Sequence, residues 1–468
     1  MGNVESGSYR KRLSRVSPAE QSEMEQSFES FCRGKSSSQK TVDLQTFQES
    51  IGNALPASMS GRIFKGIQSV NTSTKTTAAT AVATRSPGAE IGKEQFVLFV
   101  VDVIRGTAEE KGWLIFQMIS PDNSENITGR QVQQFSEDLI AAVVHVLKQQ
   151  KLLNGWTADK NQDRCLGISA LAAQLLSQLK STDLQNLDRP ELLNSVCSRA
   201  SIEDWLYKVP MVSTFLRVVT TLGLSILKNH TEHQGDFGTL VPKCRIPKKA
   251  SFVSLIDLPA VIYLNSHLPS EVQHKWRLLF SSQLHGESFS QLCGNIVDQG
   301  PCLLIIKDSD GFIFGGFASQ SWEVKPQFQG DSRCFLFTVS PCLEVHTYTG
   351  YNEHYMYLNH GQQTMPNGLG MGGQHNYFGL WIDSNFGSGH SKAKPRCTTY
   401  NSPQLSAKED FSIDALEVWA VGDLPEHLLA KNKKSILDAD PEARALLEMT
   451  GRTRQSDGLR DPGDEDQS

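Results

Sequence analysis

Midway along the chain the apolar residues change their spacing, and no single repeating architecture satisfies both halves. In the first half they recur at three- and four-residue steps, as in Met24, Phe28 and Phe31, or Val132, Phe135, Leu139, Ile140, Val143, Val144, Val146 and Leu147. That period lines one face of an α-helix. In the second half they sit in short runs between turn residues: RCFLFTVS over 333–340, then LEVHTYT, HYMYLNH, NYFGLWIDS and IDALEVWAVG. Closely spaced short strands favour a two-sheet β-sandwich over a parallel doubly wound sheet. A chain of 468 residues carrying both patterns is expected to hold about two to four domains.

The boundaries follow composition. Residues 1–16 are a polar, basic arm, residues 17–230 a helical region, 245–422 the strand-rich domain and 423–468 a tail. A small, polar, proline-marked tract over 71–90 reads as a flexible segment. His230 and His233 lie three apart, but Gly235 and polar surroundings favour an exposed join over a metal pair. In the tail, Pro441 opens a short helix through Leu447 whose apolar face is Ala443, Leu446 and Leu447; its charged end is expected to be disordered.

Within the helical region, Ser17 and Pro18 start a helix, and further helices are predicted over 131–152, 166–180 and 201–227. The last is opened by a capping box from Ser201 to Asp204 and broken at Pro210. Two connecting stretches resemble degenerate EF-hand loops. In the first, Val42 holds the hydrophobic loop position and Phe47 the exiting helix, but Lys35, Ser37, Gln39 and Thr46 stand where oxygen ligands belong. In the second, Ile127 is the hydrophobic residue, with Asp122, Ser124 and Thr128 at ligand positions. There Gln131 replaces the terminal Glu and Glu125 the turn glycine, so calcium is not expected at the first loop and only weak or absent binding is expected at the second.

The start, MGNVESGSYRKRLSR, fits the M-G-x-x-x-[ST] form of an N-myristoylation site at Gly2. One acyl chain binds membranes only marginally, so Arg10, Lys11, Arg12 and Arg15 are candidates for a second, electrostatic contact with anionic lipid. The strongest apolar run, Gln95 to Ile104, is too short to span a bilayer and carries Asp102. A formal charge of -6 argues against broad nucleic-acid binding. Nine scattered cysteines without a C-x-x-C pair read as reduced, packed thiols.

Catalytic constellations are hard to assemble from the second half. PCLLIIKDSDGFIFGGFA reads as a hairpin around Asp310 and Gly311, which accounts for Asp308 and Asp310 without a metal. His346, His354, His360, His375 and His390, with Cys334 and Cys342, supply functional groups but no recognised nucleophile–base spacing. GLGMGGQHNYFGL leads into a strand instead of an amphipathic helix and lacks a Walker lysine, so its glycines read as turns and close sheet contacts. No cofactor is expected.

LFSSQLHGESFSQL, IIKDSDGFIFGGFAS followed by Trp322, FLFTV, GLGMGGQHNYFGLWIDSNFGSG and IDALEVWAVG together resemble, in order, the TLDc (TLD) domain family over about residues 245 to 422. The matching positions are Gly286, Phe289, Gly315, Gly316, Phe317, Gly370, Gly372, Gly373, Phe378, Gly379, Glu417 and Trp419. The resemblance implies an α+β domain built on a central two-sheet sandwich. It also implies binding and regulation of the cytosolic sector of the V-type proton ATPase at the lysosomal membrane, a link to mTOR signalling and a role in oxidative-stress resistance. The expected activity is therefore that of a non-enzymatic adaptor, with a cysteine-dependent peroxide scavenger as the alternative.

Overall fold

The computed structural model describes residues 5–32, 41–70, 90–120, 124–157, 164–179, 189–227, 239–247, 252–426 and 428. Gly2, the ligand positions Lys35, Ser37, Gln39 and Asp122, the tract 71–89, His230, His233 and the tail helix all lie outside them.

Helices fill the first half. They are α1 (Glu5–Leu13), α2 (Pro18–Phe31), α3 (Leu44–Ile51), α4 (Ala57–Ser69), α5 (Lys93–Arg105), α6 (Ala108–Ile119), α7 (Gly129–Gln149), α8 (Arg164–Ser177), α9 (Arg189–Asn194), α10 (Arg199–Lys208) and α11 (Pro210–Gly223). In α2 the capping box is Ser17 with Glu20, Pro18 occupies the first turn, and Met24, Phe28 and Phe31 are buried. Helix α5 is buried continuously from Phe96 to Ile104 and forms the centre of the helical half.

The expected capping box at Ser201 is corrected. Ser198 caps α10, accepting from the Ser201 amide, and the helix ends at Lys208 before α11 restarts with Pro210. A hydroxyl three residues ahead of a backbone donor satisfies it directly, so Ser201 lies inside the first turn.

Two short ladders tie the helices in pairs. Strand β1 (Thr41–Val42) runs antiparallel to β2 (Ile91–Gly92), and β3 (Ile127–Thr128) to β4 (Val196–Cys197). Each strand is followed by a capped helix. Asp43, Thr128 and Ser198 cap through their side chains, and Gly92 takes Gln95 into its cap. Gln131, at the position where a calcium loop places its bidentate Glu, folds back to accept from the Thr128 amide at 2.7 Å. Gln95 accepts from Gly92 in the same way at 3.0 Å. These oxygens serve the helix ends.

The second half is β-rich. Its strands are β5 (Lys243–Arg245), β6 (Lys275–Ser281), β7 (Cys302–Asp308), β8 (Ile313–Ala318), β9 (Lys325–Gln329), β10 (Phe335–Ser340), β11 (Glu344–Thr347), β12 (Met356–Asn359), β13 (Gly368–Gln374), β14 (Tyr377–Asp383), β15 (Ser388–His390) and β16 (Asp410–Val421). Hydrogen bonds connect them in the order β11-β10-β8-β7-β16-β15-β14-β13-β12-β9, with β6 also on β16 and β5 outside β6. Strand β16 is the hinge of this path. Its first residues pair with β15 and its remainder lies between β7 and β6.

The glycine-rich tract, expected to serve turns and close sheet contacts, is largely strand β13, and its glycines make the close contacts. A Cβ on Gly370 would lie 2.7 Å from Phe378 and 2.9 Å from Trp381, so bare backbone lets those rings lie across the strand. A Cβ on Gly316 would approach Met371 to 2.5 Å, which is how closely β8 and β13 face each other.

Candidate functional site

Two places in the fold join segments distant in sequence and bear on how the protein presents itself. One is the seam between the helical half and the sheet; the other is the dock of the N-terminal helix.

At the seam, Trp156, beyond the end of α7, packs 5.1 Å from Trp419 on β16 and 5.6 Å from Trp276 on β6, centroid to centroid. Each ring nitrogen is satisfied. Trp156 donates to the Pro242 carbonyl, Trp276 to Asn265 Oδ1 and Trp419 to Glu417 Oε2. Glu417 is 1% exposed and also accepts from the Leu255 amide at 2.7 Å and Ser254 Oγ at 2.9 Å. Burial pushes its carboxyl pKa up, and the hydrogen bonds from Trp419, Leu255 and Ser254 oppose that shift. One hydrophobic core runs through this seam, from Phe96 and Phe135 among the helices to Phe317, Phe335 and Trp419 on the sheet.

At the N-terminal dock, α1 lies on α5. Arg12 engages Asp102, a carboxylate 2% exposed in the last turn of α5, with Nε donating to Oδ1 at 3.0 Å and Nη2 to Oδ2. Arg15 forms a two-pronged pair with Glu110 on α6, at 2.6 and 3.0 Å. The Arg15 hydrogen bonds lead in holding Glu110 down at about 2, whereas burial lowers the Arg12 pKa. Of the four basic residues proposed for lipid contact, Arg10 and Lys11 are exposed while Arg12 and Arg15 turn inward. Sequence reading missed this because each arginine's partner lies about ninety residues away.

The remaining motif positions are built into packing. Gly286, Gly372 and Gly373 have positive φ of 78°, 71° and 83°. A Cβ on Gly315 would meet the Leu304 carbonyl oxygen at 1.8 Å, and one on Gly379 would meet Cys397 at 2.9 Å. Phe289, Phe317, Phe378 and Trp419 are buried.

Three of the candidate histidines, His354, His375 and His390, gather on one ring cluster of Phe328, Tyr357, Phe378 and Trp381. His354 and His375 flank the Phe328 ring, His390 stacks on Trp381, His360 leans on Phe289, and His346 lies on β11. Burial, then Arg396, holds the His346 pKa down at about 4. Burial drives Cys244 and Cys302 up to about 12 and Cys293 to about 11, and it raises Cys197, Cys334 and Cys397. That is the opposite of the shift that activates a nucleophilic or peroxide-reducing thiol. Cys342 is exposed.

A helical front half fused through a tryptophan seam to a β-rich domain carrying these glycine and aromatic positions defines the class. The family model for the TLDc domain matches residues 252–422, and the chain belongs to the TLDc-domain family. Over its whole length it is similar to relatives named mTOR-associated protein MEAK7. It is 67% identical to that of Xenopus laevis over 468 residues and 50% identical to that of Homo sapiens over 469, covering 100% of each chain. Oxidation resistance protein 1 of Bos taurus is 36% identical over 162 residues, which cover 34% of this chain and 18% of that protein.

Proposed function

We propose that this chain is a non-enzymatic, membrane-associated adaptor that binds and regulates the cytosolic sector of the V-type proton ATPase at the lysosome and contributes to mTOR signalling. The observation that carries the reading is full-length similarity to proteins named for association with mTOR, with the front half matched as well as the TLDc region. The ATPase and the lysosome come from the TLDc resemblance. Myristoylation at Gly2, aided by Arg10 and Lys11, supplies the membrane attachment; no helix among the described residues is long and apolar enough to cross a bilayer. We read β1 with β2 and β3 with β4 as the paired loops of degenerate EF-hand-like modules, and the β-rich domain as a two-sheet sandwich hinged at β16. In this account 17–230 and 245–422 are joined domains, and the markers from Gly286 to Trp419 maintain the TLDc fold.

The alternative, a peroxide scavenger, draws on the regional similarity to oxidation resistance protein 1. The raised thiol pKa values weigh against it. Recovery from lysosomal membranes tests the proposal. Wild-type protein should bring down V-type ATPase subunits, Gly2→Ala should recover far less, and failure of both with and without ATP would reject the reading.

A further inference from the structure

The turn between α1 and α2 presents an accessible hydroxyl in a basic frame. Ser14 is exposed; Arg10, Lys11 and Arg12 precede it and Arg15 follows. At the end of α1 its amide donates to the Arg10 carbonyl at 2.9 Å and its Oγ to the Lys11 carbonyl at 2.9 Å. Water can replace such an exposed hydroxyl bond at little cost. Ser17 is committed instead to capping α2, where its hydroxyl accepts from the Glu20 amide at 3.2 Å. The two arginines nearest Ser14 in the chain are those that dock α1, Arg12 on Asp102 and Arg15 on Glu110. Tyr9, Leu13 and Val16 pack against the core and complete the dock.

We propose that Ser14 accepts a phosphoryl group from ATP through a basophilic serine kinase, and that the phosphate undocks α1. The acidic substrate groove of such a kinase reads cations two, three and four residues ahead of the hydroxyl, the places of Arg12, Lys11 and Arg10. A substrate lies extended in that groove, so α1 must unwind at this end; a helix of 9 residues is too short to persist without its dock. In the transfer, Ser14 Oγ bonds to the γ-phosphorus as the bond from that phosphorus to ADP breaks. The hydroxyl proton leaves through the kinase's base, and the products are phosphoserine and ADP. The phosphate adds about −1.5 to −2 charges and three acceptor oxygens. It competes with Asp102 and Glu110 for the donors of Arg12 and Arg15, and it brings like charge to those two carboxylates. It also stands at the carboxyl end of α1, where the helix dipole disfavours an anion. Water replaces the guanidinium at Asp102 as the helix lifts. The segment from Glu5 to Val16, released, spans up to about 40 Å when extended. Where Gly2 is lipidated, phosphorylation thus lengthens the reach of the body from the membrane; that consequence rests on the attachment proposed above, whereas the undocking does not.

The purified full chain, incubated without lipid in ATP, Mg²⁺ and the catalytic subunit of cyclic-AMP-dependent protein kinase, tests this. Peptide mass spectrometry should place a phosphate on Ser14. Amides of Glu5–Leu13 should then exchange about ten-fold faster, while those of Phe96–Ile104 hold their protection. Ser14→Ala removes an exposed hydroxyl and leaves the fold intact, so this variant, treated with the same kinase, controls for phosphate placed elsewhere in the chain; its α1 amides should keep their slow exchange. No phosphate on Ser14, or phosphate on Ser17 in its place, would overturn the site. Phosphate on Ser14 with α1 exchange unchanged or slowed relative to the treated Ser14→Ala chain would overturn the undocking. Because no membrane enters the assay, neither result depends on lipidation at Gly2.

Discussion

Trp419 donates its indole N–H to the carboxylate of Glu417, two residues back on the same strand, at 3.0 Å. Trp419 meets the helical half through its ring, packed on Trp156, while the Glu417 oxygens tie β16 to the Ser254–Leu255 segment of the same β-rich domain. Glu417→Ala leaves the Leu255 amide and the Trp419 indole without their buried acceptor, and should cost about 2–4 kcal/mol. Glu417→Gln retains an acceptor oxygen and should cost less than half as much. Urea unfolding of the two variants checks the order.

Removing Trp156 opens the seam without touching the sheet. Trp156→Ala should destabilise by about 3–5 kcal/mol. It should also split one calorimetric transition into two, because the core running between helices and sheet is interrupted there. A single transition shifted downward as a unit would locate the coupling elsewhere in that core.

Asp102→Ala strips Arg12 of its buried partner. Losing one member of such a pair costs about 3–5 kcal/mol when the remaining charge stays buried. Arg12 is near the chain end and can escape to water, so most of the effect should appear as release of α1. Hydrogen exchange of the Glu5–Leu13 amides should rise strongly while that of α5 changes little.

Much of this was legible in sequence, though unevenly. Helix α2, with Pro18 and the Met24–Phe28–Phe31 stripe, and the Asp310–Gly311 hairpin follow from local pattern, as does the β-rich second half. The seam does not, because Trp156, Trp276 and Trp419 are separated by more than a hundred residues and periodicity is blind to such contacts. The ladders at Ile91 and Cys197 were missed because each strand has only two residues. Strand β13 was disguised by its glycines, whose requirement is set by rings from β14.

Acid should weaken the protein in two stages. The His346 imidazole ionises near 6.5 when unfolded but near 4 in the fold, so its contribution is whole above pH 6.5 and is lost as pH falls toward about 4. Glu110 is held from 4.5 down to about 2, so its contribution is lost over that lower window. His346→Gln should flatten the upper slope alone and Glu110→Gln the lower, as read from urea midpoints against pH.

Two glycines give opposite expectations. Gly315→Ala drives a methyl into the Leu304 carbonyl across the β7–β8 ladder, where backbone cannot yield, and should abolish soluble folding. Gly294→Ala sits in a helix with nothing within 4 Å of the new methyl, and should be neutral or stabilise by up to about 1 kcal/mol.

The central claim is direct recognition of the V-type ATPase. The decisive measurement is binding of the purified full chain to the purified cytosolic ATPase sector by interferometry, with peroxide consumption assayed on the same preparation. The account predicts saturable binding at fixed stoichiometry, with no cysteine-dependent turnover of peroxide. Absence of binding with and without ATP, together with rapid peroxide consumption lost in the Cys342→Ser variant, would contradict it.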